Sequence, residues 1–104
     1  MFKYHQIASF VDEKSYVLDV GCGEGQLGYV LALKECRVDG LDINIDRLND
    51  RRKYYKNIFL MDIRSFEKKN SGYDYVVFSY GAVNNTFNID GINDYCYIVN
   101  NNNI

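Results

Sequence analysis

Proline is absent from the 104 residues, histidine occurs once and cysteine three times. No apolar run approaches the ~20 residues that a membrane-spanning helix needs. The opening segment MFKYHQIASFVDEK also lacks the uninterrupted apolar stretch of a secretory leader. Cys22, Cys36 and Cys96 are odd in number, widely spaced and without a CxxC or Cys/His pair, so neither a disulfide framework nor a metal site is expected. Reduced thiols and a cytoplasmic location follow as the expectation. Excess charge is missing too: 12 basic against 14 acidic residues leave a net charge of -2, with no basic field to attract a phosphate backbone. Neither nucleic acid nor a membrane is an expected partner. The missing proline goes with abundant asparagine, isoleucine, lysine and tyrosine, a bias that reads as A+T-rich coding rather than as function.

What is present suits one small folded domain. A chain of 12.1 kDa has room for a single modest core, and 47% hydrophobic with 25% charged residues sits near the globular average. Apolar spacing predicts a leading helix over residues 2–11, a buried strand over 16–20, an amphipathic helix over 24–35 and a strand over 37–42. A helix over about 46–55 follows, with acids early and bases late, then a strand over 58–61, a short charged segment over 63–69 and a strand over 73–79. Strand and helix alternating in this way predict an α/β parallel sheet with right-handed crossovers. Residues 1–83 form the expected domain. Residues 84–104 hold most of the asparagines and read as a polar, poorly ordered tail.

The richest stretch is Val17-Leu18-Asp19-Val20-Gly21-Cys22-Gly23-Glu24-Gly25-Gln26-Leu27-Gly28, a glycine cluster between a buried strand and a helix. Glycines there permit a tight turn and let a ligand approach the backbone, with helix amides facing it. Gly23, Gly25 and Gly28 alone satisfy the GxGxxG of dinucleotide-binding folds, a weak match. Asp19 at the end of the strand argues against a pyrophosphate, which Asp19 and Glu24 would repel. Taking Gly21 as the first glycine gives Asp-x-Gly-x-Gly-x-Gly instead.

VLDVGCGEGQLG resembles the first motif of class I S-adenosylmethionine-dependent methyltransferases. The resemblance implies a Rossmann-like parallel sheet with flanking helices and S-adenosyl-L-methionine as cofactor. Asp19 and the loop residues Gly21, Cys22, Gly23 and Gly25 would then take the methionine portion, whose ammonium and sulfonium suit a carboxylate and a backbone-lined loop. Asp42, at the end of the second strand, would accept from the ribose hydroxyls. Asp62, after the third strand, would accept from the adenine amino group, with Ile43 and Ile63 against the ring or presenting a backbone amide. Ser79 closes the fourth strand, beside the transferred methyl group.

Other polar residues have plainer readings. Asp74 is expected to be structural, Cys22 to contribute its backbone, and Arg47, Arg51, Arg52, Lys53 and Lys56 to form a solvated face with Asp46 and Asp50. His5 reads as a solvated side chain near a terminus. Tyr80 is placed to line an acceptor pocket. No catalytic base is recognisable. The segment after the fourth strand lacks the Asn/Asp-Pro-Pro-Tyr/Phe signature of amino-nitrogen methylation, so the acceptor stays open, with a lean to a small molecule.

The family's full sheet has more strands than the four found here, so the resemblance covers the cofactor-binding half and implies a truncated methyltransferase. The fourth strand would then be an unprotected edge and a site of self-association. Two other readings stand beside a methyltransferase: a protein that binds S-adenosylmethionine without turnover, and a NAD-binding Rossmann protein, against which Asp19 speaks.

Overall fold

The computed structural model describes residues 2–66, 72–78 and 97–100. Four short runs form parallel strands, β1 (Tyr16–Val20), β2 (Arg37–Asp42), β3 (Asn57–Leu60) and β4 (Tyr75–Phe78); β1, β3 and β4 are largely apolar, whereas β2 mixes Val38 and Leu41 with charged residues and Gly40. A fifth strand, β5 (Tyr97–Asn100), completes the sheet in the order β3-β2-β1-β4-β5. Helices α1 (Phe2–Ala8) and α2 (Gln26–Leu33) lie on one face, together with a 3-10 helix over Asp46–Tyr54. Among the described residues no helix is long and apolar enough to cross a membrane.

Register places Val20 beside both Leu41 and Phe78, so the carboxyl ends of β1, β2 and β4 are level. Side chains alternate between the two faces, as strand geometry requires. Val17, Val38 and Val77 face the helices and pack with Ile7, Ala8, Val11, Leu27, Val30, Leu31 and Leu48. Leu18, Val20, Leu41 and Val76 face the other way, against Tyr73, Phe59, Met61, Ile63 and Phe66. The Lys34 ammonium ties the two helices together by donating to the carbonyls of Ala8, at 2.7 Å, and Val11.

A polar clamp on the second face fastens the amino-terminal half of the sheet. Buried Asp39 accepts from the Tyr16 and Tyr73 hydroxyls through Oδ2, at 2.5 and 2.6 Å, and from Asn57 N–H and Nδ2 through Oδ1, at 3.1 and 3.0 Å. The Tyr16 and Tyr73 rings lie 4.4 Å apart, and the Arg37 guanidinium stacks 4.2 Å from the Tyr16 ring centroid. Asp74 has the structural role expected of it: its Oδ2 accepts from Tyr16 N–H at 2.8 Å, while its own N–H donates to the Tyr16 carbonyl at 2.7 Å.

Three expectations need correction. Residues 46–54 form a 3-10 helix, broken at Asn49 (φ 48°, ψ -125°), in place of an α-helix. Leu48 is the one buried residue of that segment, and Arg51 and Arg52 occupy the positions where an amphipathic α-helix would repeat its apolar stripe. α1 ends at Ala8 rather than 11. The tail is not wholly unstructured either: Tyr97, Ile98 and Val99 supply a short β-forming run, and β5 pairs antiparallel with β4. The fourth strand is therefore not an open edge, which removes the premise for self-association through it. The edge strands among the described residues are β3 and β5. Ser79, Tyr80, Cys96 and the rest of the tail lie outside the described residues.

Candidate functional site

β1 has β2 on one side and β4 on the other, so the strand order reverses at β1. The crevice outside the carboxyl ends at such a switch point is where open α/β sheets bind ligands. The glycine loop sits there. Gly21 and Cys22 donate to the Leu41 carbonyl at 2.7 and 3.2 Å, lashing the loop to the end of β2, and Gly25 N–H closes it onto the Cys22 carbonyl at 2.8 Å. Gly25 has φ 81°, and a Cβ there would lie 2.8 Å from Arg51 Cβ, so conformation and packing both require glycine.

Two carboxylates meet beneath this loop. Asp42, half-buried, accepts from Gly23 N–H through Oδ2 at 2.9 Å and from Asn44 N–H through Oδ1 at 3.2 Å. Each oxygen is fixed by one backbone donor and keeps a lone pair for a second. Asp19 is 0% exposed; Oδ2 accepts from the Tyr55 hydroxyl at 2.6 Å, and Oδ1 has no hydrogen-bond partner among the described residues. A buried polar atom left unpaired is costly and points to a missing partner.

Burial pushes the Asp19 carboxyl up to about 7; the Tyr55 hydrogen bond works against that shift and the charge of Asp42 adds to it. Because the folded value lies above the unfolded one, the folded chain holds a proton that the unfolded chain has released. The associated stability is fully present below the ordinary carboxylate range and is lost as pH rises toward the folded value, by on the order of 4 kcal/mol if the whole shift is realised. The ligand-free protein should therefore melt at a lower temperature at pH ~8 than at pH ~5.5. Asp19→Asn should flatten that slope, and calorimetric melts of the two proteins across this range check it.

Burial, with the charges of Asp19 and Asp42, drives the Cys22 thiol far above its ordinary value. It stays a thiol; its side chain packs in the core over Gly40, and its N–H donates to the Leu41 carbonyl. Asp62 caps a 3-10 turn over Ile63–Ser65, with both oxygens engaged by Arg64 at 2.6 to 3.0 Å. Those hydrogen bonds hold its carboxyl down at about 2. Ile43 is 64% exposed, next to Asp42, whereas Ile63 packs under the second face. His5 is exposed. The structure thus brings Asp19, Gly21, Cys22, Gly23, Gly25, Asp42 and Ile43 together; Asp62 stands with a partner of its own.

Tyr55 is the site residue that sequence reasoning missed. It is buried beneath the loop, where Gly28 and Gly40 leave room for its ring. Gly40, a glycine inside a strand and away from any turn, is the signal the sequence offers; Gly28 falls within the glycine motif that opens α2.

An acid pair, at the ends of β1 and β2, around a glycine loop at the reversal of strand order defines a cofactor-binding domain of Rossmann-like type. The chain belongs to the methyltransferase domain family, whose profile matches residues 17–95. Its fold is similar to that of a TehB-like SAM-dependent methyltransferase from Corynebacterium glutamicum, at 19% identity and a TM-score of 0.56, over 69% of this chain and 40% of that one. It is also similar to the plantazolicin methyltransferase BpumL, solved in complex with SAH, at 18% identity and a TM-score of 0.52, over 78% of this chain and 45% of that one. The chain thus spans less than half the length of either protein. Among curated protein sequences none matches it.

Proposed function

We propose that this chain binds S-adenosylmethionine at the ends of β1 and β2 and contributes the cofactor half of an enzyme that methylates a small molecule in the cytoplasm. The observation that carries this reading is the fully buried Oδ1 of Asp19 beneath a glycine loop, which has no hydrogen-bond partner among the described residues. A cationic donor such as an α-ammonium supplies what that oxygen lacks. The two anchored oxygens of Asp42 likewise suit a vicinal diol, each accepting one hydroxyl.

When bound, the sulfonium cofactor supplies an activated methyl group with a good leaving group. The chain's own residues bind and orient. Asp42, held by Gly23 and Asn44, would fix the ribose; Ile43, exposed beside it, would cover the adenine. Asp62 would reach the adenine amino group by sharing oxygens that Arg64 now engages. With alignment and water exclusion supplying much of the rate in such a displacement, no general base is assigned.

Isothermal titration with S-adenosylhomocysteine tests the residue assignments. Asp42→Ala should weaken binding by about 10- to 100-fold, the worth of one or two charge-assisted hydrogen bonds. Asp74→Ala, altered at the opposite end of the sheet, should stay within about twofold, as expected for a site it does not touch. Equal effects would remove the ribose assignment. Binding by the wild type without methyl transfer to any acceptor would select the reading of a binding protein without turnover.

A further inference from the structure

We propose that Tyr55 is a positioning residue of the cofactor site: its hydroxyl selects which oxygen of Asp19 faces the ligand and ties that carboxylate to the first turn of α2. The proposal rests on the cofactor reading above.

Tyr55 follows the 3-10 helix and precedes β3, 36 residues from Asp19 in the chain. Its ring is gripped from two sides. A Cβ on Gly28 of α2 would fall 2.3 Å from Tyr55 Cζ, and one on Gly40 of β2 would fall 2.9 Å from Cδ1. On the sheet face, Gly40 is the register partner of Asp19. The ring therefore lies over the strand position beside the carboxylate and under the helix that follows the loop, and its hydroxyl has one place to go.

At that place the hydroxyl uses both of its capacities. It donates to Asp19 Oδ2 at 2.6 Å, since a carboxylate only accepts, and it accepts from Gly28 N–H at 3.1 Å. With Oδ2 engaged by the hydroxyl, Oδ1 is the oxygen without a hydrogen-bond partner among the described residues. The groups acting on Asp19 are this hydroxyl, the Cys22 thiol of the loop and the Asp42 carboxylate of β2, while Gly40 and Val77 flank it on the sheet. Among the described residues no cationic side chain acts on Asp19 directly; the Arg47 guanidinium reaches the loop at Gly23 and bears on the Cys22 thiol. A phenylalanine would fill the same slot and provide none of the hydrogen bonding, which separates positioning from packing.

Tyr55→Phe provides the test, read in two ways. In the ligand-free protein, the 13C NMR titration of the Asp19 carboxyl carbon should shift its midpoint upward by about one pH unit, because a hydrogen bond that favours the charged form is gone. In titrations with S-adenosylhomocysteine at neutral pH, the variant should bind about tenfold more weakly, and the pH at which affinity falls should rise with the carboxyl midpoint. A folded variant with wild-type affinity and an unmoved midpoint overturns the role of Tyr55 while leaving the cofactor reading intact. Failure of the wild type to bind overturns both. If the variant does not fold, biosynthetic 3-fluorotyrosine, whose phenol is the stronger donor, must lower the Asp19 midpoint, and an unmoved midpoint overturns the proposal.

Discussion

Asp39→Ala is expected to remove about 3 kcal/mol of folding stability and to lower the melting temperature by roughly 15 °C, the scale for a domain of this size. The carboxylate receives four hydrogen bonds, from Tyr16, Tyr73 and both nitrogens of Asn57. Those donors belong to β1, β3 and the segment before β4, so one side chain on β2 holds three other parts of the sheet. Truncation leaves the buried Tyr73 hydroxyl and the half-buried Tyr16 hydroxyl without their acceptor, while the exposed Asn57 can turn to water. Asp39→Asn keeps one acceptor oxygen and should lose about 1–2 kcal/mol. Urea unfolding of the three proteins measures the order. An alanine loss under ~1 kcal/mol would show that water replaces the carboxylate.

Gly28→Ala is the second large effect, expected to destabilise by about 3 kcal/mol even though alanine favours a helix by ~1 kcal/mol over glycine. The new methyl group would need the space of the Tyr55 ring, with Cζ, Cε2 and the hydroxyl oxygen at 2.3 to 2.6 Å. Displacing the ring also breaks the Tyr55 to Asp19 bond, the one hydrogen bond that carboxylate receives from a described side chain. In a Tyr55→Ala background the same change should become neutral or stabilising, a coupling that a double-mutant cycle reads directly. Additive effects would place the ring elsewhere.

These two predictions rest on contacts that the sequence does not display. Strands β1, β3 and β4 are legible as short runs rich in β-branched or aromatic residues bounded by turn residues, and β2 (Arg37–Asp42) by its place between two helical segments; Asp19 stands out because the glycines follow its strand. Asp42 is legible for the same reason, as an acid at a strand end. Tyr55 is not: its partner is 36 residues away, and ten tyrosines in the chain make any one of them inconspicuous. Gly28 fits a helix-opening glycine motif so well that its service to a distant ring is hidden. Asp39 has no local sign of its role either, since its partners come from positions 16, 57 and 73, brought together by the sheet register. β5 is masked by its neighbours: a four-residue strand inside an asparagine-rich stretch is lost when composition is averaged. The 3-10 helix over Asp46–Tyr54 shows the opposite case, where favourable charge order suggested an α-helix that a single buried leucine does not sustain.

The central claim is that Asp19, held by Tyr55 and left with one free oxygen, receives the cationic end of S-adenosylmethionine. Isothermal titration of the wild type and of Asp19→Asn with S-adenosylhomocysteine, at pH ~8 and ~6, tests it most directly. With the Asp19 carboxyl near 7, the wild type should bind at one saturable site, more tightly at the higher pH, because only the charged carboxylate pairs with an ammonium. Asp19→Asn should bind at least about tenfold more weakly at pH 8 and lose the pH dependence. Absence of binding by the folded wild type, or an affinity indifferent to both pH and the Asp19 substitution, would contradict the account.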